Sequence, residues 1–285
     1  MSATIIDGRA IAQGIKQDVA QQLKKLQKTY GKKPLITTVI VGEDPASALY
    51  LKLREKACQS VGITTDQLRF PTSVSQKELE EGIQSLNVNP NFHGILVQLP
   101  LPDHIRPFHI MEQLHPMKDV EGFHPQNMGK TMIGDEHLVP CTPQAVLAIL
   151  NHEHIDVQGK NVVVVNHSIV VGKPLTVLLL QRNATVSTCH VFTKELKQYT
   201  KNADVIIVAA GVPGLITKEY IKKGAVIIDV GINQTKQGIT GDVAFDEVQS
   251  IAQAITPVPG GVGPVTIACS LRNMMTTFEQ CMRIQ

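Results

Sequence analysis

No stretch of the 285 residues is apolar over anything near the roughly 18–20 residues that cross a bilayer. Met1 to Arg9 lacks the basic start and apolar centre of a secretion signal. A cytoplasmic chain with no membrane partner is expected. Cysteine is scarce and poorly spaced. Cys58, Cys141, Cys189, Cys269 and Cys281 are odd in number and form no C-x-x-C pair, so a disulfide framework and a structural metal site drop away. A strong charge of either sign is missing too: 27 Lys and Arg against 25 Asp and Glu leave +2, too weak and dispersed to argue for nucleic acid. The basic cluster Lys24, Lys25, Lys28, Lys32 and Lys33 follows helical spacing and reads as a solvated face. The histidines of Asn151-His152-Glu153-His154 lie two apart and not four, which makes a loop of a segment that superficially suggests zinc.

With 43% apolar and 18% charged residues, and no repeat or low-complexity segment, the chain is globular. It is longer than one compact core usually holds, so two domains are expected. Ile11, Ile15, Val19, Leu23 and Leu26 predict a first helix ending near Tyr30-Gly31. Strands follow at Leu35 to Val41, Leu68 to Pro71 and Gly94 to Leu99, with helices at Pro45 to Val61 and from Ser75 to about Leu86. Ser75 and Glu78 form a capping-box pattern. After a helix from Thr142-Pro143 to Leu150 the alternation restarts. Strands are predicted at Val162 to Val165, Thr185 to Cys189, Val205 to Ala209, Val226 to Val230 and Ala254 to Ile255, with a helix at Val170 to Leu180. Strands alternating with helices mean parallel sheets. The expected fold is α/β with an N-terminal αβα domain over 1–140 and a Rossmann-type dinucleotide domain over 141–264. A last helix, 265–285, packs back on the first domain through Ile267, Leu271, Met274, Met275 and Phe278.

Several segments allow two readings on their residues alone. Asn166-His167-Ser168 to Gly172 lacks G-x-G-x-x-G, yet a strand, a polar turn and a helix start make either a pyrophosphate site or a plain connection. The end of the next strand, Cys189 to Lys194, has no carboxylate for a ribose hydroxyl. His167, Thr193 and Lys194 suit a 2′-phosphate instead, favouring NADP over NAD. Pro257 to Thr266 holds three glycines among three prolines, fitting a ligand-facing loop or a tight turn. Gln98 ends a strand, where α/β ligands bind and where a structural amide is also common. Ser47, Tyr50 and Arg54 share a helical face that is either core or site. Lys118-Asp119-Val120-Glu121-Gly122 is either a solvated acidic turn or a ligand loop.

In order, D-P-A-S-x-x-Y at Asp44 to Tyr50, H-G-I-L-V-Q-L-P-L-P at His93 to Pro102, K-D-V-E-G-F-H-P-x-N at Lys118 to Asn127 and P-V-P-G-G-V-G-P at Pro257 to Pro264 resemble the bifunctional methylenetetrahydrofolate dehydrogenase/cyclohydrolase (FolD-type) family. The likeness covers essentially the whole chain. It implies oxidation of 5,10-methylenetetrahydrofolate with NADP, then hydrolysis of the methenyl product to 10-formyltetrahydrofolate. No metal is implied. A homodimer is, as is one-carbon metabolism serving purine, methionine and histidine biosynthesis. By resemblance, folate lies between the domains against Ser47, Tyr50, Gln98, Glu121, Pro259, Gly260, Gly261 and Val262. Tyr50, Arg54, Gln98 and Glu121 are the catalytic set. The cofactor meets Asn166, His167, Ser168, Gly172, Thr193, Ile232 and Gly263.

Three positions depart from the family pattern. The catalytic lysine is Arg54, the pterin-binding aspartate is Glu121, and the G-R-S of the cofactor turn is Asn166-His167-Ser168. A guanidinium does not give up its proton under ordinary conditions, so the hydrolytic step is expected to be weakened. A dehydrogenase without hydrolysis and a folate-binding paralogue without catalysis are the rival expectations.

Overall fold

The computed structural model describes residues 3–43, 45–236 and 238–284, with residues 45–47 by backbone alone. Asp44 and the Ser47 side chain, both named in the sequence reading, lie outside the described residues. The chain divides into two compact units, one of residues 14–141 with 267–285, the other of residues 1–13 with 142–266. The sequence reading put the N-terminus with the first domain. Its first strand, β1 (Thr4–Ile5), instead pairs in parallel with Ala254 and Ile255. Two residues are too short for an alternation pattern to register.

The 14–141 unit carries most of α1 (Gly8–Tyr30), then β2 (Leu35–Val41), α2 (Pro45–Val61), β3 (Thr64–Phe70), α3 (Gln76–Val88), β4 (Gly94–Val97), α4 (Pro107–Gln113) and α5 (Pro125–Met132). Its parallel sheet runs β3-β2-β4. Leu35 to Val41 is apolar or β-branched throughout because β2 is central, and Thr37 and Val39 are fully buried. β3 is longer than expected. Its register runs from Leu35↔Thr64 to Val41↔Phe70, and the polar residues Thr65, Asp66 and Gln67 of an edge strand concealed it. Val39, Val74, Leu79, Ile83, Ile95 and Ile110 build the core on one face. The capping box forms: Glu78 N donates to Ser75 Oγ (3.2 Å) and Ser75 N to the Glu78 carboxylate (2.9 Å).

The 142–266 unit holds α6 (Cys141–His152), β5 (Asn161–Val165), α7 (Gly172–Leu180), β6 (Thr185–Cys189), α8 (Leu196–Thr200), β7 (Val205–Val208), β8 (Val226–Asp229), β9 (Asn233–Thr235), β10 (Gly238–Thr240), α9 (Phe245–Val248) and β11 (Ala254–Ile255). Six strands form one parallel sheet in the order β1-β11-β8-β7-β5-β6, as expected of a dinucleotide-binding fold. The antiparallel β9–β10 pair stands apart. The last helix, α10 (Val262–Ile284), starts three residues before the predicted 265, so Val262 and Gly263 belong to its first turn and not to a loop. Its far end serves the 14–141 unit as the sequence predicts. Phe278 is fully buried and packs edge-on against Tyr30 and His93, and a Cβ at Gly94 would meet Met274 Sδ at 2.4 Å.

His93 gives this packing a pH signature. Leu35 N donates to its Nδ1 (3.2 Å), so Nε2 carries the ring proton, and that nitrogen has no partner among the described residues. Burial, helped by Lys32 and Lys118, lowers its pKa to about 4. The unfolded chain therefore takes up a proton near pH 6.5 that the folded chain refuses, and stability falls as pH drops from 6.5 towards 4. Between pH 6.5 and 5 this one group removes about 1.5 kcal/mol. Denaturant titrations at the two pH values measure it. His93→Asn keeps an acceptor for Leu35 N but does not titrate, and should flatten this component. An unchanged pH dependence in the variant would show that another group is responsible.

Candidate active site

In the 14–141 unit the chain leaves central β2 to build β3 on one side and β4 on the other, so strand order reverses at the carboxyl end of β2. Open parallel sheets bind ligands at such a point. Three segments arrive there. α2 follows β2 and carries Tyr50 and Arg54; Gln98 follows β4, its N–H donating to Val39 O (2.9 Å); and residues 118–122 run beside β4 through an Ile95↔Asp119 bridge.

Residues 118–122 are not a solvated acidic turn. Lys118 is 7% exposed, and its ammonium donates to the carbonyls of Leu86 (3.0 Å), Asn87 (2.7 Å) and Asn89 (2.8 Å). Asp119 is fully buried and accepts from Gly122 N (3.0 Å), His124 N (2.8 Å) and Asn127 Nδ2 (3.0 Å). Asn273 of α10 donates to Val120 O and Val139 O, both at 2.9 Å. Gly122 has φ +74°, and a Cβ there would lie 2.8 Å from Val139 C, so no other residue fits without rearrangement. Lys118 and Asp119 thus fasten the segment, and Glu121 is the member left to face Arg54.

Arg54 is 4% exposed although α2 is otherwise amphipathic. Its Nη2 donates to Glu121 Oε1 at 2.8 Å, and its Cζ lies 4.7 Å from the centroid of the Tyr50 ring. Nε and Nη1 are buried without a hydrogen-bond partner among the described residues. Burial opposes the guanidinium charge, but Tyr50 and Glu121 outweigh it, so Arg54 stays charged more firmly than usual. Burial pushes the Tyr50 phenol up to about 12 against the pull of Arg54. Burial also raises the Glu121 carboxyl, with Arg54 opposing and Asp119 adding to the rise. Gln98 is half-buried and donates through Nε2 to Leu99 O (2.7 Å).

In the 142–266 unit strand order reverses at the carboxyl end of β5, which is where Asn166, His167 and Ser168 stand. Asn166 Oδ1 accepts from Ser168 N (2.8 Å), Ser168 Oγ (2.7 Å) and Gly172 N (2.9 Å). Ser168 Oγ accepts from Val171 N (3.2 Å), and Ser168 O from Lys173 N (3.0 Å). The turn's own groups therefore occupy amides at the start of α7 that the sequence reading left open for an anion. Gly172 is obligatory for close packing, since a Cβ would sit 2.1 Å from Asn166 O. His167 and His190 expose their rings side by side, centroids 4.6 Å apart, with Phe192 edge-on to His190 at 6.1 Å. Phe192 N donates to His190 Nδ1 (3.2 Å), so His190 Nε2 bears the proton, and Thr193 Oγ1 accepts from His190 N (2.8 Å). Ile232 is exposed after β8. In the Pro-Gly loop Gly260 has φ +112°, and a Cβ on Gly8 would lie 1.8 Å from Gly261 O.

Sequence reasoning missed His190 and a pair of buried acids. Asp242 accepts from Ala210 N (2.6 Å), Gly211 N (2.9 Å) and Asn233 Nδ2 (2.8 Å). Asp229 accepts from Gly231 N (2.9 Å), Asp242 N (3.0 Å) and Val243 N (2.9 Å). Together they hold the loops after β7 and β8, where a dinucleotide would lie against the sheet's carboxyl edge. The available signal was a glycine close to each acid: a Cβ on Gly231 would strike the Asp242 carboxylate, and one on Gly241 that of Asp229. The turn glycine, the exposed imidazoles and the braced loops suit a nicotinamide dinucleotide.

Residues 6–121 match the tetrahydrofolate dehydrogenase/cyclohydrolase catalytic domain, and residues 140–282 its NAD(P)-binding domain. The chain is 49% identical to the bifunctional protein FolD of Methanosarcina mazei, over 97% of this chain and 96% of that one. The crystal structure of the FolD methylenetetrahydrofolate dehydrogenase/cyclohydrolase of Campylobacter jejuni superimposes with a TM-score of 0.94 at 42% identity, covering 98% and 99% of the two chains. The Trypanosoma brucei enzyme, solved with NADP and an inhibitor, gives 0.95 at 36% identity over 99% of both. Among the described residues no helix is long and apolar enough to cross a membrane. With both domains matched in order along one chain, this protein belongs to the tetrahydrofolate dehydrogenase/cyclohydrolase family.

Proposed function

We propose that the protein oxidises 5,10-methylenetetrahydrofolate with NADP and hydrolyses the resulting methenyl cation, more slowly, to 10-formyltetrahydrofolate. The observation that carries the reading is the presence of both family domains, in order, on one chain. NADP, when bound, accepts the hydride released from the bridging carbon. The protein's work in that step is alignment, and no ionisable group at position 54 is required for it. The Tyr50 ring offers a face for the folate, and the side chains of Gln98 and Glu121 offer polar contacts at its edge. On the cofactor side His167, with Ser168 and Thr193, serves the adenosine ribose, Ile232 and Gly263 serve the nicotinamide end, and Pro259 to Val262 line the pocket that folate and nicotinamide share. The protein acts in cytoplasmic one-carbon metabolism, as a homodimer, with its product available to purine, methionine and histidine synthesis.

Steady-state oxidation of methylenetetrahydrofolate with NADP and with NAD tests the core of the proposal. Turnover with neither, in folded protein, would refute it; a higher kcat/KM with NAD would refute the cofactor preference. His167→Arg adds a permanent charge where the family has arginine. A charge-assisted contact with phosphate contributes roughly 1.5–3 kcal/mol, about 10- to 150-fold in affinity. Calorimetric titration should show NADP tightened by that order and NAD nearly unchanged. Equal effects on both would place His167 away from the phosphate.

The hydrolytic step needs a water activated beside a cationic carbon. Arg54 can hold that water but not take its proton, and its own charge opposes the methenyl cation. General acid–base assistance is worth about 10²–10⁴-fold, so hydrolysis should trail oxidation, and Arg54→Lys should raise it at least about tenfold. Methenyltetrahydrofolate absorbance, corrected for the buffer reaction, measures this. Wild-type hydrolysis as fast as oxidation, with no gain in the variant, would overturn the expectation.

A further inference from the structure

We propose that Glu121 is the proton acceptor of the hydrolytic step, with Arg54 as its positioning partner. This rests on the folate reading above and assigns a role that reading leaves unfilled. The groups around the pair are eliminated one by one. Arg54 is a permanent cation. Lys118 spends its ammonium on three carbonyls. Asp119 is fully buried and accepts three donors. Burial pushes Tyr50 up to about 12 and holds the Cys141 thiol well above its usual range. Gln98 has no proton to exchange near neutrality. Of these groups, Glu121 alone is a carboxylate that burial makes a better base and that a single guanidinium nitrogen holds.

The geometry supports the division of labour. Glu121 is held by one guanidinium nitrogen at 2.8 Å, while Nε and Nη1 of the same group are buried with no partner among the described residues. Two unfilled donors on a group 96% shielded from solvent are a place for an oxygen, and a water held there lies within one guanidinium's width of the carboxylate. The groups facing Glu121 act in opposite directions. Burial, the largest influence, and the charge of Asp119 make its carboxylate a better base, whereas Arg54 and a hydrogen bond from Cys141 favour its ionised form.

The water oxygen forms a bond to the methenyl carbon and its first proton passes to Glu121, leaving a neutral carbinol. The carbon–N5 bond then breaks. N5 takes the proton from Glu121, the carbinol oxygen becomes the formyl carbonyl, and its remaining proton leaves to solvent. Water and the cation give 10-formyltetrahydrofolate and one proton, with Glu121 regenerated.

The test uses the full chain, with excess enzyme, following both methylenetetrahydrofolate oxidation with NADP and methenyltetrahydrofolate hydrolysis from about pH 5 to 9. Wild-type hydrolysis should rise with pH through one ionisation. Glu121→Gln should fall about 100-fold or more and lose that ionisation, whereas Glu121→Asp should keep it at a lower rate. Arg54→Gln should move it to higher pH, because the charge favouring the carboxylate is gone. If Glu121→Gln does not fold, the Glu121→Asp and Arg54→Gln profiles decide alone. A merely structural role would lower rates without altering the ionisation. Retention of the wild-type profile by Glu121→Gln, or an unmoved profile in Arg54→Gln, overturns the proposal. A wild type that oxidises but does not hydrolyse overturns the assignment of Glu121 only; one that does neither overturns the folate reading itself.

Discussion

A parallel sheet puts the carboxyl ends of all its strands along one edge, and wherever strand order reverses, the chains leaving that edge diverge and open a crevice. Each unit here meets this constraint once. β2 feeds neighbours on both sides in the three-stranded sheet, and β5 does the same in the six-stranded one. Everything chemically distinctive follows from those two points. Tyr50 and Arg54 lie on the helix after β2, Gln98 closes β4, and His167 and His190 close β5 and β6. None of these side chains is positioned by a long loop. Rigid strands bring them to their edge, and short connections hold them there.

The second constraint is the expense of burying charge, which must be offset by donors, acceptors or an opposite charge. The buried ionisable residues separate by which kind of offset they have. Lys118, Asp119, Asp229 and Asp242 are held mainly by backbone groups of neighbouring loops. Removing such a residue would leave several N–H or C=O groups unsatisfied, so each fixes a loop's path and has no freedom for chemistry. Arg54 and Glu121 are offset chiefly by each other. Among the described residues the guanidinium keeps unfilled donors, which a structural ion pair would be expected to have satisfied. That contrast separates scaffold from site more clearly than burial alone does.

This difference also explains what could be read from the sequence. Long periodic elements were legible. The α1 stripe, the β-branched run of β2, the Ser75–Glu78 box and the seam of α10 each state a period or a cap in residues close together. β1 and the 3-residue strands β9 and β10 are too short to state any period. Polar Thr65, Asp66 and Gln67 disguised the first half of β3 because an edge strand does not need apolar residues on both faces. For the sites, family resemblance singles out Tyr50, Arg54, Gln98 and Glu121 as candidates, but it does not show that Lys118 and Asp119 are buried. A charge run looks solvated until the partners that offset it, 29 to 32 residues away for Lys118, are brought beside it. The Asp229–Asp242 brace was hidden for the same reason, its partners being spread over the connections after β7, β8 and β10 and over β9.

The two departures at the folate end are best understood as one change. Lysine and aspartate at these positions form a pair of compact partners; arginine and glutamate form a longer one. A lysine is a point charge that can lose its proton when desolvated, whereas arginine's planar fork keeps its charge and distributes several donors around a fixed plane. Substituting only position 54 would put a permanent cation beside a cationic intermediate with an aspartate one methylene further away. Glu121, one methylene longer than aspartate, meets Arg54 Nη2 at 2.8 Å, and the two charges oppose each other. The carboxylate beside the guanidinium offsets only part of the repulsion that Arg54 exerts on a nearby cation, and Glu121 is the one of the two that can change its protonation state. On the proposal above, the arginine supplies donors to the water and the glutamate accepts its proton, so the two departures from the family pattern act together.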